Sequence, residues 1–150
     1  MNARPSLAQA IALAALAHDG QTDKAGQPYI LHPLRVMLHC QGEDAQICAV
    51  LHDVVEDTPW TLEALREAGY AENVLTTLDH LTRRSDESYE QFIDRVLTDP
   101  LACFVKLADL ADNQDLSRLP VVTASDRERL LRYQRAEERI RAYLAANGEK

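Results

Sequence analysis

The run Ala49-Val50-Leu51-His52-Asp53-Val54-Val55-Glu56-Asp57 sets an imidazole and three carboxylates into an otherwise apolar stretch. Helical spacing would place His52 with Glu56, and Asp53 with Asp57, on adjoining strips. Burying such groups alone is costly, so a compensating charge is expected, and a divalent metal ion would supply it. A second polar intrusion is Asp109, whose nearest neighbours are Leu107, Ala108, Leu110 and Ala111. A third is His32 in Pro28-Tyr29-Ile30-Leu31-His32-Pro33-Leu34, where Pro33 in a first helical turn is expected to hold the histidine in an extended or capping conformation. Together His32, His52, Asp53 and Asp109 form a mixed N/O donor set suited to Mn, Fe, Zn, Co or Mg rather than to a thiolate-seeking ion. The competing reading of each is a hydrogen-bonded structural residue.

The elements that would position these side chains read as helices joined by short loops. Ser6 caps a helix to about His18, and residues 20 to 28 form a loop. A helix starts near Pro33 and ends before Gly42. The next begins after Asp44 and carries His52 to Glu56 without interruption until Thr58-Pro59, where the residue before proline avoids helical dihedrals. Short helices follow over 62–67 and 72–81. Ser88 with Gln91 makes a capping box for a helix through Leu97, and Asp99-Pro100 opens the one bearing Asp109. Ser125 with Glu128 is expected to open the last helix, about 125 to 147, with Leu130, Leu131, Ala136, Ile140, Tyr143 and Leu144 facing inward and Asn147-Gly148 ending it. The expectation is an all-α bundle of about eight helices in a single domain over 1–150.

Composition agrees with this reading. With 150 residues and 46% hydrophobic content, the chain can build one core, and it has no transmembrane run or convincing secretory signal, so the cytoplasm is expected. Its net charge of −8 argues against a long nucleic acid partner. Cys40, Cys48 and Cys103, without C-x-x-C spacing, read as buried thiols rather than nucleophiles. His39, His80 and Trp60 read as packing or surface residues, and His18 as either structural or adjacent to the site. Residues 82 to 87 read as a mobile charged loop. Of the cations available to a phosphorylated ligand, Lys24, Arg35, Arg83, Arg84, Lys106 and Arg118, each reads first as a solvated charge. Nothing indicates a homo-oligomer.

These segments resemble the HD-domain metal-dependent phosphohydrolases. More narrowly, they are similar to the hydrolase domain of Rel/SpoT-type alarmone enzymes and their small single-domain relatives, which remove the 3′-pyrophosphate from guanosine tetra- and pentaphosphate. The matching stretches are Ala17-His18-Asp19-Gly20-Gln21, Gly26-Gln27-Pro28-Tyr29-Ile30-Leu31-His32-Pro33, Leu51-His52-Asp53-Val54-Val55-Glu56-Asp57-Thr58 and Val105-Lys106-Leu107-Ala108-Asp109 with Asn113, a core of about 7–119. The resemblance implies one metal, typically Mn, on His32, His52, Asp53 and Asp109. It also implies a catalytic pair in Glu56 and Asp57, substrate contacts from Lys24 and Asn113, and a small phosphorylated nucleotide as substrate.

The chain departs from that pattern twice. Asp23-Lys24-Ala25-Gly26 replaces a basic residue by Asp23, and Leu110-Ala111-Asp112-Asn113 lacks the family's arginine and histidine after the metal-site aspartate. Reaction type is therefore better specified than nucleotide. Alternatives are a different HD phosphohydrolase, such as a 5′-nucleotidase or nucleotide triphosphohydrolase, an HD-fold di-iron oxygenase, or a non-catalytic nucleotide sensor.

Overall fold

The computed structural model describes residues 3–148. Among them the α-helices are α1 (Leu7–Ala17), α2 (Leu31–Leu38), α3 (Glu43–Leu51), α4 (Val54–Asp57), α5 (Leu62–Glu67), α6 (Glu72–Leu81), α7 (Tyr89–Val96), α8 (Pro100–Asn113) and α9 (Ala124–Ala146). A single 3₁₀ turn (Leu116–Arg118) lies between α8 and α9. The described residues form no strand, only an isolated bridge between Thr22 and Pro28 in the α1–α2 loop. The fold is all-α, as the sequence pattern predicts. No helix of the described residues is long and apolar enough to cross a membrane.

Two helices organise the rest. α3 packs on α1, α2, α6 and α8, while α8 packs on α2, α3, α6, α7 and α9. Both are apolar over most of their surface because they are surrounded. Ala45 and Ile47 to Leu51 are all buried in α3, and Ala102, Cys103, Val105, Ala108 and Leu110 in α8. Each fully buried Leu such as Leu51 or Leu110 contributes roughly 1.5–3 kcal/mol. The polar intrusions at His52 and Asp109 lie within these two central helices or at their ends, so they face each other through the core.

Capping boxes at Ser6/Gln9 and Ser88/Gln91 fix the starts of α1 and α7, and Asp99, accepting from the Leu101 and Ala102 N–H groups, fixes that of α8. Five expectations differ from the structure. α2 begins at Leu31, so His32 is helical rather than extended, and Pro33 sits in the first turn where a missing N–H leaves no bond unmade. The helix expected to run through the His-Asp pair is broken there: α3 ends at Leu51, and α4 restarts at Val54. The cause is local. A continuous helix would give the Ala49 carbonyl to the Asp53 N–H, but the His52 side chain takes it with Nδ1 at 2.5 Å, while the His52 N–H reaches the same oxygen at 3.4 Å.

At the last helix the capping box is Thr123/Asp126, not Ser125/Glu128. The two frames overlap, and the earlier one prevails because Asp126 is buried and satisfied, accepting from the Thr123 N–H and hydroxyl and from Arg129. Ala136, Ile140 and Leu144 of α9 are buried as expected, whereas Leu131 (54%) and Tyr143 (37%) are exposed. The 82–87 segment, read as mobile, is held in place: Arg95 donates to the Asp79 and Thr82 carbonyls and pairs with Glu87, which accepts in turn from the Arg84 N–H. Thr123→Ala should therefore cost about 1 kcal/mol of stability in urea unfolding, and Ser125→Ala only a few tenths. An equal or larger loss at Ser125 would restore the later frame.

Candidate active site

His32 of α2, His52 and Asp53 of the α3–α4 break and Asp109 of α8 converge on one point. His32 Nε2 lies 2.9 Å and His52 Nε2 3.2 Å from Asp109 Oδ1, while Asp53 Oδ2 lies 3.1 Å from His52 Nε2 and 3.7 Å from His32 Nε2. The two histidines and Asp109 are buried, and Asp53 is nearly so.

The tautomers follow from the partners. His32 Nδ1 is 2.6 Å from Asp112 Oδ2, and His52 Nδ1 is 2.5 Å from the Ala49 carbonyl. A carboxylate and a carbonyl only accept, so each Nδ1 carries its proton; each Nε2 faces the Asp109 carboxylate and without an ion holds a proton as well, whose loss would free the lone pair for a metal. Donors bound at about 2.1 Å to one ion and at right angles to each other are about 3.0 Å apart, close to the spacings here. The group could hold a divalent metal ion.

Without such an ion the charges compensate one another. Burial pushes the Asp53 carboxyl up, but the His52 charge and hydrogen bond outweigh it and hold the carboxyl low. Burial likewise opposes ionisation of Asp109, and Lys106, then His52, more than offset it. Lys106 is thus not the solvated cation the sequence suggested. Its side chain is 11% exposed, and Nζ donates to Asp109 Oδ2 at 2.8 Å. Tyr29 donates to Asp53 Oδ2 at 2.5 Å, and its phenol is raised first by burial and then by the Asp53 charge.

Glu56 and Asp57 form an acidic trio with Asp53, their carboxylate oxygens within 4.8 Å of one another. Crowding by the protein, then the Asp53 charge among others, raises both carboxyls above their ordinary range, although both residues are at the surface. Glu56 Oε1 also accepts from the Arg83 N–H at 2.9 Å. This trio stands beside the His/Asp group and outside the neighbouring cleft.

That cleft, of about 390 Å³, has Lys24, His32 and Asn113 in its wall, together with Arg35, Arg118 and Tyr133. Asn113 also donates to Asp109 Oδ1 at 3.1 Å. Asp23 lines the cleft as well, but its Oδ1 accepts from the Ala25 and Gln27 N–H groups, both at 2.9 Å, so it organises the loop rather than simply presenting a repelling charge.

The residue sequence reasoning missed is Asp112, read only as a lost histidine. It binds His32 Nδ1, takes Arg35 Nε at 2.7 Å and lies 3.5 Å from Arg118. Its α8 spacing of three from Asp109 was the available signal, since both then face α2. His18, the C-cap of α1, hydrogen-bonds Gln21, which donates to the Asp57 carbonyl, and its ring meets Tyr29 at 5.1 Å between centroids with a tilt of 51°, so it supports the site from behind. Cys40, Cys48 and Cys103 are buried, and burial pushes the Cys40 and Cys48 thiols up, which removes them as nucleophiles.

Comparison with known proteins gives this geometry a context. The guanosine-3′,5′-bis(diphosphate) 3′-pyrophosphohydrolase of Haemophilus influenzae is 39% identical over 112 residues, 65% of this chain and 16% of that protein. The protein of the same name from Aquifex aeolicus is 35% identical over 108 residues, covering 64% and 15%. The bifunctional (p)ppGpp synthase/hydrolase SpoT of Escherichia coli is 36% identical over 121 residues, covering 71% and 17%. The chain thus spans less than a fifth of the length of these curated relatives. No protein-family model matches it. Among solved structures, that described as "A metazoan ortholog of SpoT hydrolyzes ppGpp and plays a role in starvation responses" superposes with a TM-score of 0.73 at 21% identity, over 98% of this chain and 99% of the other. This chain has the fold of that SpoT ortholog. The shared fold runs through α9, beyond the stretch in which sequence motifs are recognisable.

Because Asp112 is buried against His32 Nδ1 and the Arg35 guanidinium, Asp112→Ala would leave both of those groups without their acceptor. The expected loss is about 3 kcal/mol in urea unfolding, whereas Asp115→Ala, at an exposed ion pair with Arg118, should cost less than about 1 kcal/mol. Equal small losses would remove Asp112 from the support of the site.

Proposed function

We propose that this chain is a metal-dependent phosphohydrolase that removes the 3′-pyrophosphate from (p)ppGpp or a similar nucleotide. The observation that carries the reading is the fixed pair of imidazoles: both Nδ1 protons are committed elsewhere, so both Nε2 atoms are available to one ion beside two ionised aspartates. The names of the relatives and the shared fold support the choice of reaction.

His32, His52, Asp53 and Asp109 would hold one divalent ion, manganese by preference, with iron, zinc, cobalt or magnesium as alternatives. Bound there, such an ion lowers the pKa of a coordinated water and withdraws charge from a phosphoryl oxygen. The chain's own residues supply the remainder. Glu56, its carboxyl raised by burial, takes a proton from the attacking water, and Asp57, on the same acidic trio, orders the hydrogen bonds around it. Water oxygen bonds to the phosphorus next to the 3′ oxygen, the P–O3′ bond breaks, and the leaving oxygen gains a proton. The products are pyrophosphate and a nucleoside diphosphate. Lys24 and Asn113, in the cleft wall next to His32, hold the nucleotide.

One observation favours a second reading, a different nucleotide phosphohydrolase. The cleft arginines are already neutralised, Arg35 by Asp112, Arg118 by Asp112 and Asp115, and Arg129 by Asp126, which leaves that wall poorly suited to a polyphosphate. Under both readings the nucleotide is a small-molecule partner, and the enzyme is expected in the cytoplasm without membrane or long nucleic acid partners.

The test is a panel of nucleotides, guanosine tetraphosphate included, incubated with manganese-loaded protein and resolved by product. Pyrophosphate is expected; orthophosphate or triphosphate would transfer preference to the second reading. Glu56→Gln should keep its metal and lose about 10²–10⁴-fold in turnover. The His52→Ala/Asp53→Ala double variant should fall to background metal content with its helical circular dichroism largely intact. Full metal occupancy in that variant would sink the assignment of the ligands.

A further inference from the structure

The cleft beside His32 is charge-balanced, but a pair of arginines outside its wall is not. Arg83, in the loop between α6 and α7, lies with Cζ 5.6 Å from the Tyr89 ring centroid, and Arg132 of α9 lies 4.8 Å from the same centroid. Neither guanidinium has a carboxylate or hydrogen-bond partner among the described residues, which is also true of Arg4, Arg127 and Arg135; what sets Arg83 and Arg132 apart is that they share one aromatic ring. A ring face offsets only part of the repulsion between two cations gathered on it. Two exposed guanidiniums held at one ring, with no carboxylate beside them, favour an anion from outside.

Its position says which anion. The main chain of Arg83 donates to Glu56 Oε1 at 2.9 Å, so Arg83 touches the acidic trio. Arg132 also lies 5.6 Å from the Tyr133 ring centroid, and Tyr133 is in the wall of the cleft. Lys106, bonded to Asp109, projects over Phe92 at 5.0 Å, and Phe92 meets Tyr89 edge-on at 6.0 Å. Successive contacts therefore link Glu56 through Arg83, Tyr89, Arg132 and Tyr133 to the cleft. The Tyr89 hydroxyl, shielded from solvent, has no hydrogen-bond partner among the described residues. The loop that carries Arg83 is fixed by Arg95 and Glu87, so the guanidinium is presented from a braced backbone.

We propose that Arg83 and Arg132, set against Tyr89, form a phosphate-binding subsite that takes the substrate's diphosphate next to the catalytic acids, while the neutralised cleft takes the nucleoside. This deepens the proposed function and rests on it for the identity of the nucleotide. It does not rest on it for the anion: a diphosphate is bound because two guanidiniums offer planar, paired donors that match phosphoryl oxygens. It also answers the difficulty raised by the cleft, since the polyanionic part of the ligand lies where the free cations are.

Calorimetric titration of inorganic pyrophosphate into the metal-loaded protein tests the subsite directly. Arg83→Gln/Arg132→Gln should weaken pyrophosphate binding by about tenfold for each guanidinium removed, with metal content and Tm unchanged. Arg83→Lys/Arg132→Lys should recover much of the loss. Arg127→Gln/Arg135→Gln, which removes two exposed charges from the same helix, serves as the control and should change binding less than about twofold. Wild-type affinity in the Arg83/Arg132 Gln variant, an equal loss in the control, or no pyrophosphate binding by the wild type overturns the subsite. With guanosine tetraphosphate as substrate, the expected change is a raised KM with kcat nearly kept, and a fallen kcat at constant KM would also overturn it. If the wild type binds pyrophosphate through these arginines yet leaves guanosine tetraphosphate intact, the choice of nucleotide fails and the subsite stands.

Discussion

A carboxylate cannot be buried alone, and the arrangement of this protein follows from that constraint at Asp109. The residue is 5% exposed inside the central helix α8 and is approached by His32 Nε2, His52 Nε2, Asn113 Nδ2 and Lys106 Nζ. Those groups come from α2, from the end of α3 and from α8 itself, so the packing of α8 against α2 and α3 is also the assembly of the site. Apolar burial supplies the stability, and the buried charge sets the register in which the helices meet. A one-turn slide of α8 would retain much of the apolar contact while separating Asp109 from both imidazoles.

The polar intrusions were legible because they violate the apolar pattern around them. His32, His52, Asp53 and Asp109 stand out on chemical grounds, and the structure brings all four together. Helix number and most boundaries were legible from caps and prolines, since Ser6, Ser88 and Asp99 each act within a few residues of themselves. What pattern alone did not reveal depends on contacts distant in sequence. The break at His52 comes from a ring that takes a main-chain carbonyl, which helical periodicity cannot anticipate. Lys106 looked solvated because its partner's burial is a tertiary fact, and Asp112 looked like a loss because its partners, His32 and Arg35, are some 80 residues away. The choice between Thr123 and Ser125 as the cap turns on Asp126, which is held by Thr123 and also by Arg129 and Lys24, the last of these about a hundred residues away.

Charge is distributed unevenly around the centre. On the cleft side each arginine is matched by an aspartate, so the field is short-ranged and the wall is polar without being strongly positive. On the side of Arg83 and Arg132 the cations have no such partner. A protein with a net charge of −8 repels a polyanion at long range, so the proposed ligand would need local cations beside Glu56 and Asp57 to attract it at short range. The departure of Asp23 from a basic residue acquires a physical sense here: its carboxylate holds the turn from residue 23 to 27 and leaves attraction to other elements.

The two imidazoles are oriented by different kinds of group. His52 is held by the Ala49 carbonyl, a main-chain atom that every amino acid at position 49 would supply, whereas His32 is held by the Asp112 side chain, which a single base change could replace. One half of the centre is thus insulated from drift, and the other is open to it. Under the proposed function, variation in the basicity of His32, and with it in the ion held, would enter this fold through position 112 rather than through the His-Asp pair.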